Sequence, residues 1–135
     1  MRALKAGILA LILAAVALAA CSRPRSSEQY VRRAMADGGR YEFRLNLSDT
    51  AARYDISIYT RRDGADNSGF PLRASWYLED SLRFSEDLFF PPSDELVPYR
   101  SGVAMEEAAE WKLVLQPFCP PEGLRGMGVI CKERD

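Results

Sequence analysis

Apolar and polar residues alternate along several short segments after residue 40. In the first of them, Tyr41, Phe43, Leu45 and Leu47 are separated by single polar residues. A period of two places alternate side chains on opposite faces, so the segment predicts a half-buried β-strand. The pattern returns at 54–59, 72–78, 111–116 and 127–132. It is less regular at 84–90 and 96–103, which gives six further segments in all.

Turn residues separate these segments, and no long amphipathic helix is indicated between them. Examples are Asp63-Gly64 and Pro91-Pro92. Six or seven short strands without crossover helices predict an all-β domain over 41–135, an antiparallel β-sandwich of the jelly-roll or immunoglobulin-like type. We expect its core to contain nine residues: Phe43, Leu45, Ile56, Ile58, Trp76, Leu78, Trp111, Leu113 and Val129.

The N-terminal segment has a different pattern. Arg2 and Lys5 precede an unbroken apolar stretch at 6–20, which is shorter than the roughly 20 residues of a membrane-spanning helix. The stretch ends in small residues followed by Cys21, and the sequence Leu-Ala-Ala-Cys resembles the bacterial lipobox. Residues 1–20 are therefore predicted to be a lipoprotein signal peptide, with Cys21 as the lipidated residue. The alternative is an ordinary secretory signal with a coincidental cysteine.

A lipid on Cys21 would anchor the protein to a membrane without a spanning segment, because two or three acyl chains together bind stably. Residue 22 is serine rather than aspartate, and no acidic run follows the cysteine. By analogy with known sorting signals, these features favour the periplasmic face of an outer membrane.

Residues 21–40 are expected to form the lipidated cysteine and a flexible tether. The segment is polar, contains Pro24 and Gly38-Gly39, and carries five arginines against two acidic residues. Its basic excess suits contact with anionic lipid head groups, whereas its composition suits a soluble spacer. Residues 28–36 are compatible with a short helix.

Composition excludes several classes of function. The chain has no histidine, which removes the commonest general base and the commonest zinc ligand. Its net charge of −1 is unlike the basic excess of nucleic-acid-binding proteins. Ser-His-Asp, Cys-His and His-ligated metal chemistry is therefore excluded, and we expect no catalytic residue of these types, no metal site, no cofactor and no nucleic-acid partner.

Two cysteines remain after Cys21. An export signal places Cys119 and Cys131 in an oxidising compartment, where a pair of cysteines typically forms a disulfide. The alternatives are weaker, since two cysteines without histidine make a poor zinc site and the spacing differs from that of redox-active Cys-x-x-Cys pairs.

Arginine and tyrosine residues on the predicted strands form a candidate face for a ligand or partner: Arg61, Arg73, Arg100, Tyr59 and Tyr77. Arginine suits bidentate contacts with carboxylates or phosphates and stacks on aromatic rings. The alternative is that these residues point outward and pair with neighbouring acidic side chains.

Other candidates have structural interpretations beside functional ones. Adjacent acidic residues such as Glu86-Asp87 point to opposite faces of a strand, so they are not natural catalytic pairs. Asp63, Asp66 and Asn67 share one loop and supply oxygen ligands of the kind that calcium prefers, but they also fit ordinary turns. The apolar segment 89–92 is a candidate docking loop or a plug for the end of the sandwich.

The order of these elements resembles the gliding-motility lipoprotein H family of Bacteroidetes. A lipobox cysteine, a short tether and a β-rich domain of about 100 residues follow one another in that family. The matching stretches are 43–47 with Asp49-Thr50, 54–61, 99–103 before 111–116, and 122–129, whereas Cys119 and Cys131 depart from the family pattern. The resemblance implies an outer-membrane lipoprotein associated with gliding and secretion, without enzyme activity.

Two tripeptides resemble the O-glycosylation sequon that Bacteroidetes use on exported proteins. They begin at Asp49 and Asp80, which makes Thr50 and Ser81 the candidate acceptors.

The resulting hypothesis is an outer-membrane lipoprotein that acts as an accessory or assembly subunit with other envelope proteins. The alternative is a periplasmic module that binds a glycan or a peptide.

Overall fold

Eight β-strands make up most of the computed structural model of the protein, which describes residues 26–64, 66–93, 95–105, 107 and 109–134. The strands are β1 (Ser26–Arg32), β2 (Tyr41–Leu47), β3 (Arg53–Arg62), β4 (Phe70–Leu78), β5 (Ser81–Phe90), β6 (Leu96–Val103), β7 (Ala109–Pro117) and β8 (Leu124–Arg134). A 3-10 turn, Arg33–Met35, follows β1. Within the ranges described, no helix is long and apolar enough to cross a membrane.

The strands form two antiparallel four-stranded sheets. Sheet 1 has the order β1-β8-β3-β6, and sheet 2 has the order β2-β7-β4-β5. Every connection except the β4–β5 hairpin crosses from one sheet to the other. Eight strands arranged in this way form a jelly roll. The predicted all-β sandwich is therefore confirmed, and the jelly roll is the one of the two proposed topologies that the chain adopts.

Alternation along the strands builds the core between the sheets. In β2 every second residue is buried, as the sequence predicts. All nine residues predicted for the core are buried there. Residues near strand ends join them, including Phe70, Phe90, Leu124 and Met127. Each large apolar side chain removed from water contributes about 1.5–3 kcal/mol, so this layer holds the two sheets together.

The sandwich begins earlier in the chain than its predicted start at Tyr41. Residues 26–32 form β1, which pairs with β8 from Ser26 opposite Lys132 to Arg32 opposite Gly126. The expectations of a tether reaching residue 40 and of a helix at 28–36 are therefore wrong for this segment. The physical reason is that β1 is an edge strand with mostly exposed side chains, so its sequence lacks the alternation that marks the other strands.

Side-chain contacts join β1 to the edge of the other sheet. The Gln29 side-chain amide donates to the carbonyl oxygen of Arg44 and accepts a hydrogen bond from the Arg44 backbone N–H at 3.0 Å. Arg44 lies on β2, one of the two edge strands of sheet 2, where one side of the backbone has no neighbouring strand. The amide therefore occupies backbone groups of an otherwise open edge and closes this side of the sandwich.

The jelly roll has two ends, which we name after residues that lie there. The Ser26 end contains the start of β1 and of β3, the end of β8 and the turn at 48–52. The Phe118 end contains the 3-10 turn and the loops at 63–69, 91–95 and 118–123. Strands of 7–11 residues, at about 3.3 Å per residue, place the two ends roughly 20–35 Å apart.

Candidate functional site

The structure does not bring the predicted arginine and tyrosine face together. Tyr59 and Arg61 lie on β3 in sheet 1, whereas Arg73 and Tyr77 lie on β4 in sheet 2. Arg100 lies on β6, which is an edge strand of sheet 1 opposite to β1. The outer surfaces of two packed sheets point in opposite directions, so these residues occupy three separate places. The prediction of a single face is therefore wrong.

On the outer face of sheet 1, two tyrosine rings lie side by side. Tyr30 and Tyr59 have ring centroids 6.0 Å apart and ring planes within 12° of parallel. A Cβ atom at Gly126 would collide with the Tyr30 ring, and one at Gly128 would collide with the Tyr59 ring. The glycines of β8 thus allow both rings to lie flat on the sheet.

Arg61 covers one ring of this pair. Its guanidinium lies 5.2 Å from the centroid of the Tyr59 ring, and Tyr59 is buried whereas Tyr30 remains 40% exposed. Burial, and after it the neighbouring Glu28 carboxylate, raises the pKa of Tyr59 to about 12. The accessible part of the aromatic surface is therefore Tyr30.

A depression of about 850 Å³ borders Tyr30 at the Phe118 end. Its charged lining residues are Arg32, Arg33, Asp63, Glu122 and Arg125. Asp63 accepts hydrogen bonds from the Arg125 guanidinium, which holds the pKa of the Asp63 carboxyl below its usual value. The sequence does not reveal this site, because Tyr30, Arg32 and Arg33 fall in the segment that its composition predicts to be a tether.

The outer face of sheet 2 carries an apolar patch at the Phe118 end, formed by Pro71, Phe89, Phe118 and Arg73. Pro71 lies directly opposite Phe89 in the β4–β5 register, and its carbonyl accepts a hydrogen bond from the Phe118 backbone at 2.8 Å. The Arg73 guanidinium lies 5.5 Å from the Phe118 ring centroid and donates a hydrogen bond to the Asp87 carboxylate at 2.9 Å. Phe89 is 63% exposed and Phe118 is 37% exposed.

The two phenylalanines of the candidate docking loop at 89–92 point in opposite directions. Phe90 is buried and stacks on Phe70 at 5.5 Å, so it plugs the end of the sandwich. Phe89, the preceding residue of the same strand, points to the opposite face and is exposed. The plug interpretation is confirmed for Phe90, whereas docking of a partner at Phe89 stays a prediction.

Arg100 takes part in a polar network on the side of the sandwich where β5 faces β6. The Trp76 indole N–H donates to the Tyr99 hydroxyl at 2.9 Å, and that hydroxyl donates to Glu86 at 2.6 Å. Arg100 donates to the same Glu86 carboxylate. Burial and the hydrogen bond to Glu86 raise the pKa of Tyr99 to about 12. The network joins the two sheets through one Glu86 carboxylate oxygen, which accepts from both Tyr99 and Arg100.

Tyr77, the fifth residue of the predicted face, belongs to another small cluster on sheet 2. The Lys112 ammonium lies 5.0 Å from its ring centroid, and Arg40 donates to its hydroxyl at 3.3 Å. These contacts lie farther along β4 than the apolar patch, in the direction of the Ser26 end. Tyr77 is thus held by neighbouring cations and is not part of a site with Arg100.

The predicted disulfide between Cys119 and Cys131 is not formed, and both residues are free cysteines. Cys119 is exposed in the loop before β8, whereas Cys131 is buried seven residues after the first residue of that strand. Extended backbone advances about 3.3 Å per residue, which carries Cys131 roughly 23 Å from the start of β8. A disulfide requires Cα atoms about 4.4–6.8 Å apart.

The acidic residues of the loop that was a candidate calcium site form hydrogen bonds and ion pairs with other protein groups. Asp63 pairs with Arg125, and Asp66 accepts a hydrogen bond from the Ser68 backbone at 3.0 Å. Across the described part of the chain, no three acidic or cysteine side chains converge as metal ligands would. The Asp66–Ser68 bond is that of an ordinary turn, whereas Asp63 forms an ion pair with the distant Arg125.

The remaining predicted residues differ in what the structure says of them. Thr50 is exposed in the turn at 48–52, and Ser81 is exposed as the first residue of β5. Both lie at the Ser26 end, and their glycosylation stays a prediction. Cys21 and the signal peptide at 1–20 lie outside the described residues.

No family model matches the chain, and no curated protein matches it. The class that the structure itself defines is an eight-stranded jelly-roll domain.

Proposed function

We propose that the protein is a lipid-anchored, non-enzymatic subunit of a bacterial cell-envelope complex, of the gliding-motility and secretion type that the family resemblance implies. In this proposal Cys21 holds it at the periplasmic face of the outer membrane. The Phe118 end of the jelly roll contacts a protein partner.

The observation that carries the proposal is the position at which the sandwich begins. Ser26 is the first residue of β1 and follows Cys21 by only five residues. A chain of that length spans about 17 Å at most. The Ser26 end would therefore lie next to the membrane, with the strands carrying the Phe118 end away from it.

The apolar patch of Pro71, Phe89, Phe118 and Arg73 lies on the end that would face the periplasm. Contiguous exposed apolar surface on a monomer commonly marks a site of protein interaction. Arg73 adds a cation that is stacked on Phe118 and paired with Asp87, and arginine of this kind is frequent in interfaces. The patch is thus suited to the apolar surface of another envelope protein.

The anchor is tested by labelling the native cells with a clickable fatty acid. The wild-type chain is expected to carry the label and to fractionate with the outer membrane. The Cys21→Ala variant should lose the label and leave the outer-membrane fraction. Label incorporation or outer-membrane association that persists in Cys21→Ala would overturn the anchor at this residue.

The partner surface is tested by crosslinking and co-purification from the same cells. The Phe89→Ser/Phe118→Ser variant should keep its lipid and lose a stoichiometric partner that the wild type retains. Leu82→Ser is the matched control, because Leu82 is also exposed on β5 but lies near the Ser26 end. Retention of the partner by the double variant, or equal loss in the control, would contradict the assignment of the patch.

A further inference from the structure

We propose that the depression beside Tyr30 binds a saccharide that carries a carboxylate or phosphate group. This site lies on sheet 1, whereas the apolar patch assigned to a protein partner lies on the outer face of sheet 2. The two surfaces are made by different residues, so the inference stands whether or not the partner surface is correct.

The first argument is the exposed ring at the rim. Tyr30 is held flat by stacking against Tyr59 and by the space above Gly126, and the residue remains 40% exposed. Ligand sites commonly combine an apolar or aromatic surface with a few polar groups that fix orientation. A flat ring bordered by charged and carbonyl groups matches the apolar face and hydroxyl rim of a pyranose.

The second argument is the charge of the lining, which carries three arginines against the two carboxylates of Asp63 and Glu122. Arg125 is matched by Asp63, whereas the Arg33 guanidinium donates only to backbone carbonyls, those of Pro121 at 3.0 Å, Glu122 at 3.3 Å and Leu124 at 3.3 Å. Neutral acceptors fix the position of Arg33 without neutralising its charge. A guanidinium placed in this way suits an anionic group on the ligand.

Arg32 adds a second cation on the same face as Tyr30. The two residues are separated by one position on β1, so their side chains point to the same side of the sheet. Arg32 lies opposite Gly126, the residue over which the Tyr30 ring rests. The exposed guanidinium is therefore close to the aromatic platform and suited to a carboxylate or phosphate on a stacked sugar.

The third argument is the fixed polar wall on the far side of the depression. The Asp63 backbone N–H donates to the Gly123 carbonyl at 2.7 Å, which joins the 63–69 loop to the 118–123 loop. A Cβ atom at Gly123 would collide with the Asp63 carbonyl oxygen, so this close approach requires glycine. The volume of about 850 Å³ is within the range of small-molecule sites.

The test is calorimetric titration of the detergent-solubilised, full-length lipoprotein. The probes are digalacturonic acid, glucose 1-phosphate, inorganic phosphate and the neutral disaccharide lactose. At least one of the two charged saccharides should bind. Lactose, which lacks the anionic group, and inorganic phosphate, which lacks the sugar ring, should each bind at least about tenfold more weakly. Tyr30→Ala and Arg32→Ala should each weaken the binding of the charged saccharide by a similar factor, about tenfold.

Matched controls come from the other sheet. Tyr77→Ala and Arg44→Ala remove the same residue types from the outer face of sheet 2 and should leave the affinity unchanged. Binding of neither charged saccharide at millimolar concentration would overturn the proposal. So would equal affinity for lactose or for inorganic phosphate, or equal effects of the control variants.

Discussion

The hydroxyl group of Tyr99 donates a hydrogen bond to the Glu86 carboxylate at 2.6 Å and joins the edge strand of one sheet to the edge strand of the other. Glu86 lies opposite the buried Ala74 on β4, so its side chain points toward the interior rather than to solvent. An inward charged residue on an edge strand discourages pairing with another chain. Tyr99 and Arg100 satisfy this charge at the site where it enters the sandwich.

Removing the Tyr99 hydroxyl should destabilise the fold. Tyr99→Phe leaves the Trp76 indole N–H without its acceptor and Glu86 without one donor, and we expect the free energy of unfolding in urea to fall by about 1–2 kcal/mol. Tyr77→Phe is the control, because its hydroxyl makes only one exposed contact, with Arg40. Equal stability of the two variants would argue against a stabilising network.

Stability should also fall at alkaline pH. The pKa values of Tyr59 and Tyr99 are raised to about 12 in the folded protein from an ordinary value of 10, chiefly by burial. The folded state then holds these protons more tightly than the unfolded state does. Their contribution is fully present below pH 10 and is lost as the pH rises toward 12.

Urea unfolding at intervals from pH 8 to pH 12 measures this effect. The free energy of unfolding should decline above pH 10, and the decline should be smaller in Tyr99→Phe, which has one such group fewer. A profile that is flat above pH 10, or one that is identical in the variant, would show that Tyr99 is not buried as described.

The two free cysteines should differ sharply in reactivity. Cys119 is exposed, whereas burial encloses Cys131 and raises its thiol pKa to about 11. In the Cys21→Ala variant, we expect one thiol to react rapidly with a maleimide in the native protein and a second to react only after unfolding. Intact mass spectrometry provides the check. A product without any label after unfolding would show that the cysteines are oxidised to a disulfide after all.

Backbone exchange can distinguish a β1 strand from a flexible tether. Because β1 bonds to β8 on one side only, roughly every second amide of 26–32 should exchange slowly with deuterium. The amides of Gly38 and Gly39, in the exposed turn before β2, should exchange rapidly in the same experiment. Uniformly rapid exchange over 26–32 would restore the tether.

Local alternation was sufficient to predict much of the fold. Strand β2 has the bounds that its alternation indicated, and residues such as Phe43 and Leu113 were assigned to the core correctly. This works because a half-buried strand must place an apolar residue at every second position. β1 escaped the same argument because an edge strand buries little and therefore carries no such pattern.

Which side chains meet was decided by the order of strands in the sheets. β3 and β4 are neighbours in the chain but lie in different sheets, so Tyr59 and Tyr77 face opposite directions. Conversely, Tyr30, Asp63 and Arg125 come from distant segments and border one depression. Alternation specifies a face of a strand, whereas contacts between strands depend on backbone pairing and sheet packing, which a local pattern does not encode.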